Sequence, residues 1–458
     1  MTKNVSRISK LLIDRNGEDP GSVLMRRRKF TVTLRLGDDV GGSRSLQLAA
    51  LTAARLANWC FPGAVHVDAP ASVLDARALV GAPKSTSLGI ALARELGKRG
   101  MTPTEGGRVL LFGNAAHNGA ALRVTFDGWV AVTGPQHTLS RYAEREHCSL
   151  APILAAALAI SETFLGFAGI DVTAGRRVVG LSLWRPDLGH ADPDAVGSVV
   201  TALPKQAWLL GLGHLGNAYL WALATLPFAK PADVLLYLLD FDRVEKANTE
   251  TGVLFRSRDI GRFKTRVCSD WLEQFKINTC LVERRFDDRL RRLDGEPALA
   301  LSGFDNNEAR QLLVDANFGR VVDSGLGGTA TNFDSISLRT WPNARAADAI
   351  WPVLSANEKE EAEKRAWKAA EENPGYRRLK RDRCGLIEYA GKSVAVPFAG
   401  IAAATLVVAD TLRVLNDGGR VENLKVRLGS PSGELAVTWS TYSKEDLAAV
   451  AYTPAVKY

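Results

Sequence analysis

The stretch AWLLGLGHLGNAYLWALATL, residues 207–226, decides the fold. It opens on a short apolar run at 207–210, turns through Gly211, Gly213 and Gly216, and continues as a helix from about 217 to 226. A strand, a Gly-x-Gly-x-x-Gly turn and a helix in that order make a nucleotide-binding unit. The glycines permit a tight turn and close approach of a phosphate, and the helix N-terminus supplies amide donors. By itself the turn is weakly specific, because close strand–helix packing asks for the same glycines. Working outward, the strand 234–239 ends on Asp240, where an acid can accept from ribose hydroxyls. Strands at 298–301 and 321–322 follow, so strands alternate with helices as in a parallel α/β sheet.

The same alternation runs through the first half. Strands are expected at 30–36, 64–67, 109–112, 129–132 and 180–183, and helices at 45–59 and 150–164. A loose segment rich in proline and aspartate, 185–197, marks the boundary. The two halves echo one another. AAALAISETF at 155–164 aligns without gaps with AATLVVADTL at 403–412, and VLLFGN at 109–114 stands where ALSGFDN stands at 300–306. The first half has no glycine motif after its first strand and a single acid, Asp68, at the end of its second. A duplicated fold with one degenerate copy is expected, with domains at 1–195 and 196–420 and a C-terminal β tail at 421–458.

Composition narrows the function classes. The 458 residues, 46% apolar and 24% charged, allow two or three domains with sizeable cores. A net charge of +8 favours acidic partners. The basic clusters at 26–29, 289–292 and 377–383 lack interleaved aromatics, so no nucleic-acid partner is expected. Cys60, Cys148, Cys268, Cys280 and Cys384 are scattered and form no CxxC pair, which argues against a disulfide framework and a structural zinc. The N-terminus has no secretory pattern, and no run reaches the roughly 18 uninterrupted apolar residues of a membrane span. The chain reads as cytoplasmic, reduced and soluble.

The discriminating residues follow the glycine turn. Asp240 and Asp242 flank Phe241, Asn248 comes next, and Lys264 closes the segment 259–264, DIGRFK. Asp305 stands beyond a further strand. Two acids, an amide and a lysine suit a magnesium-neutralised triphosphate better than a nicotinamide ring. An oxidoreductase would leave Asp242, Asn248, Lys264 and Asp305 without a task.

Asp240, Asp242, Val244, Glu245, Asn248, Asp259, Ile260, Gly261, Lys264, Asp305 and Arg310 resemble, in type and spacing, the motifs of the E1-like activating enzymes, the ThiF or MoeB family. The resemblance covers about 205–415. It implies two Rossmann-like adenylation halves, the N-terminal one inactive and the C-terminal one active, with a long crossover loop at 341–383. It further implies ATP and Mg2+, and adenylation of the C-terminal carboxylate of a small ubiquitin-like or sulfur-carrier protein. By resemblance, Gly211, Gly213, Gly216, Asp240 and Asp242 hold the nucleotide, Asn248 and Lys264 the phosphates, and Asp305 the magnesium. The chemistry is coherent: a carboxylate is a poor electrophile, adenylation makes it a mixed anhydride, and Lys264 with magnesium can offset the charge gathering at the α-phosphate.

There are departures. Thr251 stands where the family has an arginine, and Gly252 where it has a glutamine; Arg256, or an arginine of the first half, is expected to compensate. His214 occupies a place the family gives to glycine. Cys384, with Arg381 and Arg383 beside it to favour the thiolate, is the expected nucleophile for a thioester; the plain alternative is an incidental loop cysteine. The layout is closest to the E1 of bacterial ubiquitin-like conjugation operons linked to anti-phage defence, which implies an E2-like acceptor. Activation of a sulfur carrier is the alternative. The halves would form an intrachain pseudo-dimer, and association of two chains stays open.

Overall fold

A computed structural model describes residues 6–81, 86–97, 107–377, 393–441 and 450–456. In the first half, β1 (Thr31–Leu36), β2 (Ala64–Asp68), β3 (Arg108–Phe112), β4 (Ala121–Asp127), β5 (Val130–Pro135) and β6 (Val179–Ser182) form one sheet in the order β2-β1-β3-β4-β5-β6. Pairing is parallel from β2 to β4 and antiparallel from β4 to β6.

Past β7 (Ala202–Pro204), a second sheet is built from β8 (Gln206–Leu210), β9 (Leu235–Leu239), β10 (Asn278–Val282), β11 (Leu299–Ser302), β12 (Arg320–Leu326), β13 (Ser335–Trp341), β14 (Val421–Arg427) and β15 (Leu435–Trp439). Its order is β10-β9-β8-β11-β12-β13-β14-β15. The inner run β9-β8-β11-β12-β13-β14 repeats the first sheet strand for strand, including the switch from parallel to antiparallel pairing. The duplication read from the sequence is therefore a duplication of topology.

The helices that matter below are α1 (Arg7–Asn16), α2 (Arg44–Cys60), α3 (Leu150–Ala168), α4 (His214–Ala224), α5 (Lys264–Glu273), α6 (Asn307–Gln311), α7 (Ala356–Glu372) and α8 (Pro397–Leu415). The echoing segments 155–164 and 403–412 fall on α3 and α8, each lying between the fifth and sixth strands of its copy. α3 packs on α2 and on α8, and α8 packs on α4, so one continuous core runs through both halves. The rings of Phe164 and Phe398 meet across this junction at 5.7 Å. Both helices are long and apolar enough to cross a membrane, but 89% of that window in each is buried inside the fold, which makes them core helices. The few charges they carry are paired, as buried charges must be. Glu162 meets Arg177 at 2.8 Å, and at the matching position Asp410 meets Arg320 and, at 3.0 Å, Arg413.

Two expectations change. The boundary at 420 falls inside the second sheet: β14 is the sixth strand of the second copy and pairs with β13, and β15 pairs with β14, so 421–439 is not a separate tail. The long crossover hides this by separating β13 from the last helix and strand of its own copy. Further on, β16 (Tyr452–Pro454) pairs back onto β7. The charged helix α7 is exposed as expected, with Ala370 its one buried residue, and starts on a capping box between Ser355 and Glu358.

Candidate functional site

At the carboxyl ends of β8, β9, β11 and β12, loops converge with α1 and residues 393–395 on a cleft of about 790 Å3. Ligands of open α/β sheets bind along this edge. The three motif glycines divide their labour. Gly211 has φ of +81°, which favours glycine, and both it and Gly213 line the cleft. Gly216 does not. A Cβ there would overlap the Gly211 carbonyl oxygen and lie 2.8 Å from its carbon, so Gly216 serves the packing of α4 on the turn. Gly303, at the end of β11, completes that contact: its Cβ would lie 2.9 Å from Gly216 N. Gly213 has nothing within 4 Å of its Cβ position and caps α4 without a side-chain hydrogen bond. Uncapped first-turn amides beside open space fit a phosphate.

Asp240 is 7% exposed and ties the turn to the end of β9. Its Oδ2 accepts from Leu212 N at 2.7 Å and its Oδ1 from Asp242 N at 2.8 Å. Each carboxylate oxygen keeps capacity for a second donor such as a hydroxyl. Burial pushes its carboxyl up from the usual range, and Lys264 opposes that shift. The Lys264 ammonium is buried, 2.7 Å from Asp242 Oδ2 and 3.9 Å from Asp240 Oδ2. Asn248 accepts from Glu245 N through Oδ1 at 2.8 Å, which leaves its amide NH2 to serve the cleft it lines. Asp305 lines the cleft and is exposed, with Asn306 Nδ2 donating to its Oδ1 at 3.3 Å. Lys264, Asp240, Asp242, Asn248 and Asp305 are thus brought together.

Among the described residues no group of three or more His, Cys, Asp or Glu gathers to hold a metal. That fits magnesium, which commonly takes one or two carboxylates and completes its shell with water and phosphate oxygens. Asp305, with Asp242 across the cleft, supplies such a carboxylate.

Arg256 is not in the cleft. It points to the first half, where its Nη2 lies 3.5 Å from Glu95 and donates to Arg94 O at 3.4 Å. Burial and neighbouring Arg55 pull its guanidinium down to about 10. The Arg55–Glu95–Arg256 cluster is therefore a joint between the halves, and Arg256 does not take the place of the arginine missing at Thr251. Arg7 does line the cleft. It comes from the first half, at the start of α1, and its backbone N–H donates to Glu250 Oε2 at 3.0 Å, one residue before Thr251. Its Nε is buried and has no hydrogen-bond partner among the described residues. Sequence reading did not single out Arg7; the clue was the vacancy at Thr251. Arg285, stacked 4.6 Å from the centre of the Phe241 ring, is a further cleft arginine that no motif announced.

His214 fills the space between the turn and α8. A Cβ on Gly400 would lie 2.8 Å from its Cδ2, and its Nε2 is buried without a partner. Burial, with Arg7 nearby, pushes the imidazole down to about 3, so it is neutral at physiological pH.

Cys384, Arg381 and Arg383 lie outside the described residues. The chain that follows them lines the cleft at Ser393, Val394 and Ala395, and Val394 N donates to Gly328 O at 2.9 Å. Cys60, Cys148 and Cys268 are buried core thiols, as expected; burial pushes Cys60 and Cys148 up to about 12. Cys280 is only half-buried on the edge strand β10, where the core was expected.

Two family models match the chain: "BilD N-terminal domain" over residues 31–183 and "BilD C-terminal domain" over 203–418. A curated relative, "Bacterial E1-like protein BilD" of Collimonas sp. (strain OK412), is 35% identical over 411 residues, covering 86% of this chain and 85% of the relative. The chain belongs to the BilD family of bacterial E1-like proteins. The two family models fall one on each half of the duplicated fold. Among solved structures, E. coli MccB with ATP is 16% identical with a TM-score of 0.34, over 52% of this chain and 62% of that one. PaaA is 15% identical with a TM-score of 0.33, over 52% and 72%. The chain thus spans less than two thirds of that MccB structure, and likeness at this level carries no functional weight.

Proposed function

We propose that this BilD-family protein uses MgATP to adenylate the C-terminal carboxylate of a ubiquitin-like protein, then takes the acyl group onto Cys384 as a thioester for an E2-like protein. The observation that carries the reading is the cationic pair Lys264 and Arg7, set with Asp240, Asn248 and Asp305 around the uncapped N-terminus of α4. A hydride-transfer site has no use for that set.

In this reading Asp240 accepts from the ribose hydroxyls, and the α4 amides, Asn248, Lys264 and Arg7 surround the phosphates. Magnesium, held through Asp305, would shield the charge of the triphosphate. A carboxylate oxygen of the partner attacks the α-phosphorus and pyrophosphate departs, while Lys264 and Arg7 offset the charge that gathers on the phosphoryl oxygens. The Cys384 thiolate then attacks the acyl carbon and AMP leaves. Val394 and its neighbours, which form one wall of the cleft, lead directly from the segment that carries Cys384, and this supports its part in the second step. The degenerate first half keeps a role by lending Arg7, which makes the chain an intrachain pseudo-dimer. The free cysteines among the described residues agree with a reducing, cytoplasmic setting, and kinship with a bacterial E1-like protein supports a conjugation system of the anti-phage kind.

The test is ATP–pyrophosphate exchange with the candidate ubiquitin-like partner, followed by a gel assay for a thiol-sensitive adduct. Lys264→Ala is expected to slow exchange by about 10²–10³-fold. Cys384→Ala is expected to keep exchange and lose the adduct; a persisting adduct removes Cys384 as the nucleophile. Exchange with no adduct in the unaltered chain would instead favour activation of a sulfur carrier.

A further inference from the structure

Beneath the cleft lies a buried polar knot that adenylation chemistry does not itself explain. Asp323, on β12, is 0% exposed. Its Oδ1 accepts from Ser302 Oγ at 2.9 Å and Arg310 Nε at 3.0 Å, and its Oδ2 from the indole Nε1 of Trp351 at 3.2 Å. Arg310 carries the arrangement outward. Its Nη2 donates to Phe304 O at 2.7 Å and Ser324 O at 3.0 Å, and its Nη1 to Asn307 Oδ1 at 2.9 Å. Phe304 and Asn307 bracket Asp305. The guanidinium therefore fixes both flanks of the loop that presents this carboxylate to the cleft.

Trp351, itself 0% exposed, opens the excursion toward Cys384. Three further contacts tie that excursion to the Asp305 loop. Gln311 Nε2 donates to Trp351 O at 2.8 Å, Asn307 Nδ2 donates to Pro352 O at 2.7 Å, and Lys359 pairs with Glu308 at 2.5 Å. A buried carboxylate that loses a donor must move, protonate or find another partner. Removing the indole N–H would act through Asp323 on Arg310, and through Arg310 on the Asp305 loop.

We propose that Trp351 is a positioning residue for the magnesium side of the cleft, holding Asp323 and Arg310 so that Asp305 is presented, and linking the start of the crossover to nucleotide binding. The inference rests on the reading of the cleft as a MgATP site. Its test uses the full chain with MgATP as the probe. Melting temperature is followed against Mg2+ at fixed ATP, and exchange against Mg2+ with the partner present. Trp351→Phe keeps most of the ring volume and removes the donor. It is expected to raise the half-saturating Mg2+ about tenfold or more, in line with the loss of other supports behind metal ligands. A merely structural role would lower the melting temperature without moving that midpoint. Asp323→Asn, which keeps the shape, is expected to shift the midpoint in the same direction and stands in if Trp351→Phe does not fold. Unchanged Mg2+ midpoints in both variants overturn the positioning role and leave the adenylation reading standing. If the unaltered chain shows no Mg2+-dependent stabilisation by ATP, the cleft reading falls and this inference falls with it.

Discussion

Two glycines of the same motif should fail in different ways when given a methyl group. At Gly216 the added Cβ meets the carbonyl of Gly211, with the carbon 2.8 Å away and the oxygen closer still. Both are backbone atoms, so neither can swing aside, and α4 must move off the turn. Overpacking of this kind typically costs about 1–3 kcal/mol. At about 2–4 °C per kcal/mol for a cooperative unit of this size, Gly216→Ala should melt roughly 2–12 °C lower without ligand. At Gly213 the Cβ meets nothing within 4 Å, and φ is −69°, so Gly213→Ala should melt within about 2 °C of the unaltered chain, the roughly ±0.5 kcal/mol usual for substitutions off such features. Its methyl, however, occupies the space a phosphate would enter. ATP at a hundred times its dissociation constant stabilises the folded state by about 2.7 kcal/mol. That upward shift should appear in the unaltered chain and be largely absent in Gly213→Ala. Differential scanning fluorimetry with and without MgATP reads both effects. A full ATP shift in Gly213→Ala, or unaltered melting in Gly216→Ala, would refute the division of labour between the two positions.

The two arginines expected to serve the missing position should separate as cleanly. Arg7→Ala should slow pyrophosphate exchange at least about tenfold with little change in melting, whereas Arg256→Ala should lower melting by loosening Glu95 and Arg55 and leave ATP affinity intact. His214 should make stability depend on pH. Its pKa is about 3 folded against an ordinary 6.5, so between those values the unfolded chain binds a proton that the folded chain does not. Stability is then lost as pH falls from 6.5 toward 3, by up to about 1.4 kcal/mol per pH unit, and His214→Gln should flatten that arm of a denaturation series. Asp410→Ala strands Arg320 and Arg413 without their buried acid and should cost about 3–5 kcal/mol in urea unfolding; a loss under 1 kcal/mol would mean water reaches the junction.

What the sequence disclosed follows from how local each signal is. The glycine turn, Asp240, Asp242, Asn248 and Lys264 sit within one β–α–β unit, where chemistry dictates spacing, and all of them line or brace the cleft. The echo between 155–164 and 403–412 was legible because both helices carry small apolar residues all round and one paired acid at the same place. Strands β4 and β13 passed unread, since no functional residue marks them, although β13 alternates buried and half-buried positions as a strand should. Arg7 was invisible for a different reason. Its place is set by where α1 lies on the other half, a tertiary fact that no residue near 251 encodes. The Asp323–Arg310–Trp351 knot is likewise joined only in three dimensions.

The junction of α3 with α8 sets a limit on how this molecule can move. Halves joined through a common dry interior cannot work as a clamshell. Exposing each 100 Å2 of that interior would cost about 2.5 kcal/mol, so substrates must be admitted by shifting surface segments around a rigid chassis. The same junction explains what erosion of the first copy could and could not remove. Its nucleotide loop was free to decay, but its greasy helix was not, because α8 would then face water. A polypeptide cut between the copies should accordingly yield two fragments that fold only in each other's company.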